Sequence, residues 1–499
     1  MKKSILFIYL SLVIIFATSD GIDASAQQDS PRSIQETVEA LIDSETTAQA
    51  AVSICAIKGD GQQLVDINSA RMLVPASNMK LISTGAALHK FGPEHRYETS
   101  IAHDGRIVDG ILEGNIYIIG GGDPTLGSID SIATPITKTF SQWADMIKSA
   151  GIKRINGRII GDGRYFDSGI EEPTWLLEDI GTYYGVGATG LMFYENMQSF
   201  NVSAGAAVGD SIYITPSYPE TPWMEFKYNC TTGEKDTGDR LFMFTSDLAP
   251  IAEIRGTFGV DRKPKRLDCS NKFPEYTCAH YFGKYLKDCG ISSEGVGDFR
   301  LDKSWNPNGN LTILGKTYSP KLSSIIFETN HVSNNVFAET LLRSLGKEMT
   351  GSASYDSSYM AINKILDELK VDYSRGCRIK DGSGLSRQNY ISSDFLCRFL
   401  KGMMNSQHFA EFAQSLPSPG KNGTLQYNMK KVPETLKTRI KVKSGSMNGV
   451  RCYSGYIIPT EGAREDVIIF SIMVNNCISP SWDIRNVLDN IMAELAKLN

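Results

Sequence analysis

Three short segments of this chain bring hydroxyls and lysines together at spacings that could do chemistry. They are Ser77-Asn78-Met79-Lys80, Ser333-Asn334-Asn335 and Lys443-Ser444-Gly445, in that order. A serine hydroxyl is a weak nucleophile until a base takes its proton. A lysine three residues away can be that base only when neutral, and both burial and a second cation such as Lys443 favour the neutral amine. Ser333 could then relay the proton to a leaving amine, while Asn335 orients Lys80 or the substrate amide. Lys443, Ser444 and Gly445 on a strand edge would meet a substrate carboxylate. The N–H groups of Ser77 and Ser446 would form an oxyanion hole, a device typically worth a few kcal/mol in the transition state.

The elements that must carry these residues can be read around them. After Val74-Pro75-Ala76, apolar residues recur at helical spacing through about residue 90, which sets Ser77 near the start of a largely buried helix with Lys80 one turn on. Helical patterns also cover 33–41, 332–345, 357–369 and 393–404; strands are expected at 50–57, 439–442 and 467–474. A final helix sets Ile484, Val487, Leu488, Ile491, Met492 and Leu495 on one core-facing side. From about Gly92 the texture changes to short strands and turns. The charged run 261–266 reads as a solvated loop.

Other patterns lose support in context. Ser418-Pro419-Gly420-Lys421 repeats the Ser-x-x-Lys spacing where proline and glycine break any helix. Gly185-Val186-Gly187-Ala188-Thr189-Gly190 matches a dinucleotide fingerprint, but no buried strand feeds it, so a glycine-rich loop is expected. There is no phosphate-binding G-x-x-x-x-G-K-[ST] loop, no G-x-S-x-G elbow and no H-E-x-x-H.

Lys2 and Lys3, an apolar run over 5–17 and Ala24-Ser25-Ala26 have the form of a cleaved signal peptide, so the mature chain would begin near Gln27 and work in the cell envelope. The run is short for a membrane span, and no later stretch reaches about 18 apolar residues. Nine cysteines leave at least one unpaired in a monomer. Cys55, Cys377, Cys397, Cys452 and Cys477 read as small apolar residues, whereas Cys230, Cys269, Cys278 and Cys289 are candidates for disulfides with three connectivities open. A zinc site on Cys269, Cys278, His280 and Cys289 has no C-x-x-C pair behind it. No cofactor or metal is expected. The 499 residues suffice for several domains, and a net charge of −5 gives no basic footprint for nucleic acid.

The three segments, in this order, make the chain resemble the penicillin-recognising serine enzymes. More narrowly it is similar to the class C low-molecular-weight penicillin-binding proteins, D-alanyl-D-alanine carboxypeptidase/endopeptidases. Longer matches carry that likeness: Pro75-Ala76-Ser77-Asn78-Met79-Lys80, Gly121-Gly122-Asp123-Pro124-Thr125-Leu126, Ser333-Asn334-Asn335 with Ala338-Glu339, Asp381-Gly382-Ser383-Gly384-Leu385-Ser386-Arg387, and Lys443-Ser444-Gly445-Ser446. Serine stands where the third motif more often has threonine, and asparagine occupies the middle of the second.

The resemblance implies an α/β (α+β) architecture: a transpeptidase-like, β-lactamase-like catalytic domain whose antiparallel sheet is flanked by helices, with nested β-rich insertions. The implied division is 1–26 signal peptide, 27–95 with 315–499 catalytic, 96–204 with 291–314 inserted, and 205–290 nested within. It implies Ser77 as acylated nucleophile, Lys80 as base, Ser333 and Asn335 in proton relay and positioning, and Lys443 with Ser444 in carboxylate recognition. Asp162, Phe166, Arg387 and Asn448 would read the peptide side chain beside the scissile bond. The implied substrates are peptidoglycan stem peptides ending in D-Ala-D-Ala and their crosslinks, with β-lactams as acylating inhibitors. A β-lactamase is a sibling reading, opposed by the long insertion. A wall-binding or sensor protein that keeps the pocket without turnover is the non-enzymatic alternative.

Overall fold

The computed structural model describes residues 32–167, 169–301 and 310–498. The expected signal peptide falls on residues 1–26, outside the described residues.

The strand Ile468–Asn475 is buried along its whole length and forms the middle of a five-stranded antiparallel sheet. The order is Gln63–Ile67, Ala51–Lys58, Ile468–Asn475, Val450–Ile457 and Ile440–Met447, so both ends of the described chain build one sheet. Helices cover both faces, which is why Ile-Ile-Phe-Ser-Ile-Met-Val shows no polar alternation. Phe470, Ile472 and Val474 pack with Ile484, Leu488, Ile491 and Leu495 of the C-terminal helix Ser481–Ala496. Ile469 and Met473 face the opposite core, with Phe395, Phe399 and the helix Met79–Phe91. Each fully buried aliphatic or aromatic side chain contributes roughly 1.5–3 kcal/mol. Together they fix the sheet edge on which Lys443 lies.

Most expected elements are present within a residue or two: helices Ile34–Ile42, Tyr355–Glu368 and Ser393–Met404, and strands Ala51–Lys58 and Ile468–Asn475. Two differ instructively. The first motif begins as a 3-10 turn, Ala76–Asn78, that runs into the helix Met79–Phe91. The helix expected over 332–345 starts only at Asn335. Ser333 has φ of 63°, and the Asn334 side chain caps the new helix by accepting from the Phe337 N–H.

Between the first two motifs the chain builds other sheets. One, of five strands, has the order Gly295–Asp298, Arg158–Asp162, Ile116–Gly120, Glu98–His103 and Thr312–Tyr318. Two three-stranded sheets follow: Met197–Ser203 with Tyr213–Pro216 and Lys265–Ser270, and Ile251–Gly259 with Glu225–Gly233 and Phe242–Thr245. The helices Ile136–Ser149 and Pro274–Asp288 also lie in this stretch of strand-and-turn texture; the sequence reading missed both. The charged run is a short turn at its start, but its end, from Lys265, is already strand.

All nine cysteines are free thiols. The disulfides expected among Cys230, Cys269, Cys278 and Cys289 are therefore absent. Cys230 donates to the Ile254 carbonyl at 2.9 Å, and Cys278 is buried in the helix Pro274–Asp288. Among the described residues, no helix is long and apolar enough to cross a membrane, and no group of three or more His, Cys, Asp or Glu could hold a metal ion.

Candidate active site

The turn that carries Ser77 is held under constraint. Ala76 sits in the left-handed region with φ of 44°, costly for a residue with a Cβ. Asn78 donates through Nδ2 to Ser454 Oγ at 2.7 Å, and Ser454 donates on to Ser471 Oγ at 2.8 Å, which ties the turn to the two central strands. Ser77 is left facing a cavity of about 1210 Å³.

Lys80 is fully buried below it. Its Nζ donates to Asn335 Oδ1 at 2.6 Å and to the Ser383 carbonyl at 2.7 Å, and lies 3.0 Å from Ser77 Oγ. A neutral amine has two hydrogens and one lone pair. The two fixed oxygens take the hydrogens, and the lone pair is left for the serine proton. Burial lowers the Lys80 pKa to about 7, against the pull of Asp381 and Glu339. Burial, rather than the expected repulsion from Lys443, is the leading cause. The pKa of Lys443 is itself lowered well below the lysine range, by burial first and Lys80 second.

Lys443 lies fully buried on Ile440–Met447, the edge strand of the catalytic sheet. It donates to Ser333 Oγ at 2.9 Å and to the Ser444 carbonyl at 2.7 Å. With Lys443 supplying a proton to that oxygen, the Ser333 O–H is free to point elsewhere. Ser444 Oγ is 2.7 Å from Thr424 Oγ1. Gly445 lies against the nucleophile turn, where a Cβ would stand 2.7 Å from the Pro75 carbonyl oxygen and 3.0 Å from the Asn78 nitrogen. Ser446, Met447, Asn448 and Arg387 also line the cavity.

The structure therefore brings together Ser77, Lys80, Ser333, Asn335 and Lys443, with Ser444, Gly445, Ser446, Arg387 and Asn448 around them. It does not bring Asp162 or Phe166 to the cavity. Asp162 ends the strand Arg158–Asp162, with both oxygens on Arg164 at 2.9 and 2.7 Å. Phe166 is buried beneath the Arg343 guanidinium, 5.0 Å from its ring centroid. Asp179 and Tyr184 line the cavity instead.

Several further groups support the site. The Tyr184 carbonyl accepts from Asn335 Nδ2 at 2.8 Å, which turns the amide oxygen toward Lys80. Glu339 accepts from the N–H groups of Gly382 at 3.1 Å and Ser383 at 2.7 Å, so it shapes the turn whose carbonyl holds Lys80. Burial and Asp381 push the Glu339 pKa upward against those donors. Asp381 accepts from the N–H groups of Gly384 at 2.7 Å and Ser386 at 2.5 Å and from Trp175 Nε1 at 2.8 Å. Asn334, the variable middle of its motif, donates to Glu195 Oε2 at 2.7 Å. Glu339 and Asp381 stand in matched motifs and were legible as such; a backbone carbonyl leaves no sequence mark.

A serine beside a buried lysine, faced by a second Ser/Lys pair on the edge of an antiparallel sheet covered by helices, defines a penicillin-recognising serine hydrolase. The pattern of the D-Ala-D-Ala carboxypeptidase 3 (S13) family matches residues 34–498, and the chain belongs to that family. It is a serine-type D-Ala-D-Ala carboxypeptidase. A D-alanyl-D-alanine carboxypeptidase of Actinomadura sp. (strain R39) is 26% identical over 468 residues, 90% of this chain and 82% of that protein. The penicillin-sensitive carboxypeptidase A of Dictyostelium discoideum is 27% identical over 480 residues, 88% of this chain and 85% of its own. The fold is that of penicillin binding protein 4 (dacB) from Haemophilus influenzae, with a TM-score of 0.78 at 20% identity over 92% of this chain and 98% of that one.

Proposed function

We propose that the chain hydrolyses D-Ala-D-Ala peptides, and D-Ala-linked crosslinks of peptidoglycan, through an acyl-enzyme on Ser77, and that penicillin acylates the same oxygen. The observation that carries this reading is Lys80 Nζ at 3.0 Å from Ser77 Oγ, in surroundings that lower its pKa to about 7. As Ser77 Oγ attacks the carbonyl carbon, its proton passes to Lys80, and the oxyanion meets the N–H groups of Ser77 and Ser446. The proton then leaves through Ser333 to the departing amine as the C–N bond breaks. Lys443 donates to Ser333 Oγ, which supports this relay, and its N–H groups with Ser444 and Gly445 would receive the terminal carboxylate. Water hydrolyses the ester with Lys80 again as base. Arg387 and Asn448 on the cavity rim would read the stem peptide.

We also infer work in the cell envelope after removal of residues 1–26. The inferred division keeps 27–95 in the catalytic unit but starts its second part near 319 rather than 315, because Thr312–Tyr318 pairs with Glu98–His103 in the inserted sheet, and treats the rest as insertions. We set the nested insertion nearer 197–270, because Met197–Ser203 pairs with Lys265–Ser270 while the helix Pro274–Asp288 packs on Arg158–Asp162 and Gly295–Asp298.

The test uses the protein and Ser77→Ala with a D-Ala-D-Ala pentapeptide and crosslinked muropeptides, products being read by mass spectrometry. D-Alanine release or crosslink cleavage by the parent alone is expected. No product from the parent would sink the proposal. Rapid turnover of penicillin, rather than an adduct that persists for many minutes, would favour the β-lactamase reading.

A further inference from the structure

The loop 179–185 lies between the active site and the inserted strands. On one side, the Tyr184 carbonyl accepts from Asn335 Nδ2 at 2.8 Å. On the other, the next carbonyl, of Gly185, accepts from Lys272 Nζ at 2.8 Å. Lys272 is fully buried and forms an ion pair with Glu171 at 2.8 Å. Ser270, two residues before it, donates from its N–H to the Gly181 carbonyl at 3.0 Å and from Oγ to the Ile180 carbonyl at 2.9 Å. A Cβ at Gly181 would overlap the Met243 carbonyl oxygen, so the strand Phe242–Thr245 lies flush against this loop. These contacts clamp the loop at Ile180, Gly181 and Gly185.

We propose that Lys272 is a positioning residue for the reaction: by holding the Gly185 carbonyl it fixes the neighbouring Tyr184 carbonyl, which keeps the Asn335 amide oxygen turned toward Lys80. A carboxamide has an acceptor end and a donor end of nearly equal size. Rotated by half a turn, Asn335 would present N–H groups to a lysine that, as an ammonium, has no acceptor. The Tyr184 carbonyl is what forbids that rotation, and the backbone carrying it is anchored one residue away by Lys272. An apolar residue would fill the same space but would leave the Gly185 oxygen without this donor. Burying an ammonium costs free energy even when it is paired. Its retention here is accounted for by what the charge holds. Glu171, Asp247 and Arg300 are the charged groups around Lys272; Lys443, Asp381 and Glu339 are those around Lys80.

This inference rests on Lys80 as the base. The amide oxygen favours the ammonium form, so losing it lowers the Lys80 pKa and moves the acid limb of acylation to lower pH. Removing one partner of a buried pair can unfold a protein, whereas replacing both with residues of similar volume is often tolerated. The variants are therefore Lys272→Met with Glu171→Met, and Lys272→Leu with Glu171→Leu, neither of which leaves a donor for the Gly185 oxygen. Penicillin acylation is followed by stopped flow from pH 5 to 9, with thermal melts alongside. Expected in whichever pair melts cooperatively are a tenfold or greater fall in the plateau rate and an acid limb lower by about half a pH unit or more. Three results would overturn the proposal: parent-like rate and limb, a rate loss with an unmoved limb, or failure of both pairs to fold, which would make Lys272 a folding residue only. Inactivity of the parent enzyme would instead refute the acyl-enzyme reading, so the two failures are distinguishable.

Discussion

Lys80 donates to two oxygens and has one lone pair left, so its reactivity is decided by whether it holds a third hydrogen. With its pKa lowered to about 7, the competent amine is present above that pH and lost below it. Acylation by penicillin should therefore rise with pH through an apparent pKa near 7, as stopped-flow measurement from pH 5 to 9 would register; a rate flat through that range would contradict the assignment. Asn334 illustrates a residue whose side chain the chemistry does not need but the fold does. Asn334→Ala removes the helix cap and a donor to the largely buried Glu195, and should cost about 1–3 kcal/mol in denaturant melts. Asn334→Asp keeps the cap but turns a carboxylate toward Glu195, so it should also destabilise. The reacting side chains were legible because only a few residue types can do nucleophilic and base chemistry. Tyr184 was not, because its contribution is a carbonyl that any residue could supply.

The elements explain why the motif residues stand where they do. Apolar periodicity extended the second-motif helix back to residue 332, but Ser333 lies in the left-handed region and the helix begins after the Asn334 cap. That break turns Ser333 toward Lys443 instead of along the helix face. Short polar caps compete locally with the helix and override periodicity at its ends. Gly445 lies where the edge strand Ile440–Met447 meets the Ser77 turn, with no room for a Cβ. Gly445→Ala should push the two apart and lower kcat/KM for D-Ala-D-Ala peptides at least tenfold, while far-ultraviolet circular dichroism stays unchanged; parent-like kinetics would refute the contact. The helices Ile136–Ser149 and Pro274–Asp288 were hidden in a stretch of short strands and turns, although Phe140, Trp143, Ala144 and Ile147 repeat at helical spacing. Asp162 and Phe166 were assigned by resemblance alone, in a stretch with no catalytic motif to anchor the match. Arg164 and Arg343 engage them there.

On the scale of the whole molecule, the catalytic sheet is made from strands before residue 68 and after residue 439, and the intervening chain builds other sheets that reach back to the site. Motif order made the discontinuous architecture legible. Long-range pairing left no such trace, and neither did the state of the cysteines. Alkylation in denaturant without reductant should label all nine thiols, since each cysteine is free in the fold; fewer labels would reveal a disulfide. The mechanism depends on one covalent bond. Incubating the protein with penicillin, digesting it and mapping the adduct by tandem mass spectrometry should find a single acyl group on Ser77 and none in Ser77→Ala. An adduct on another serine, or undiminished labelling of Ser77→Ala, would contradict it.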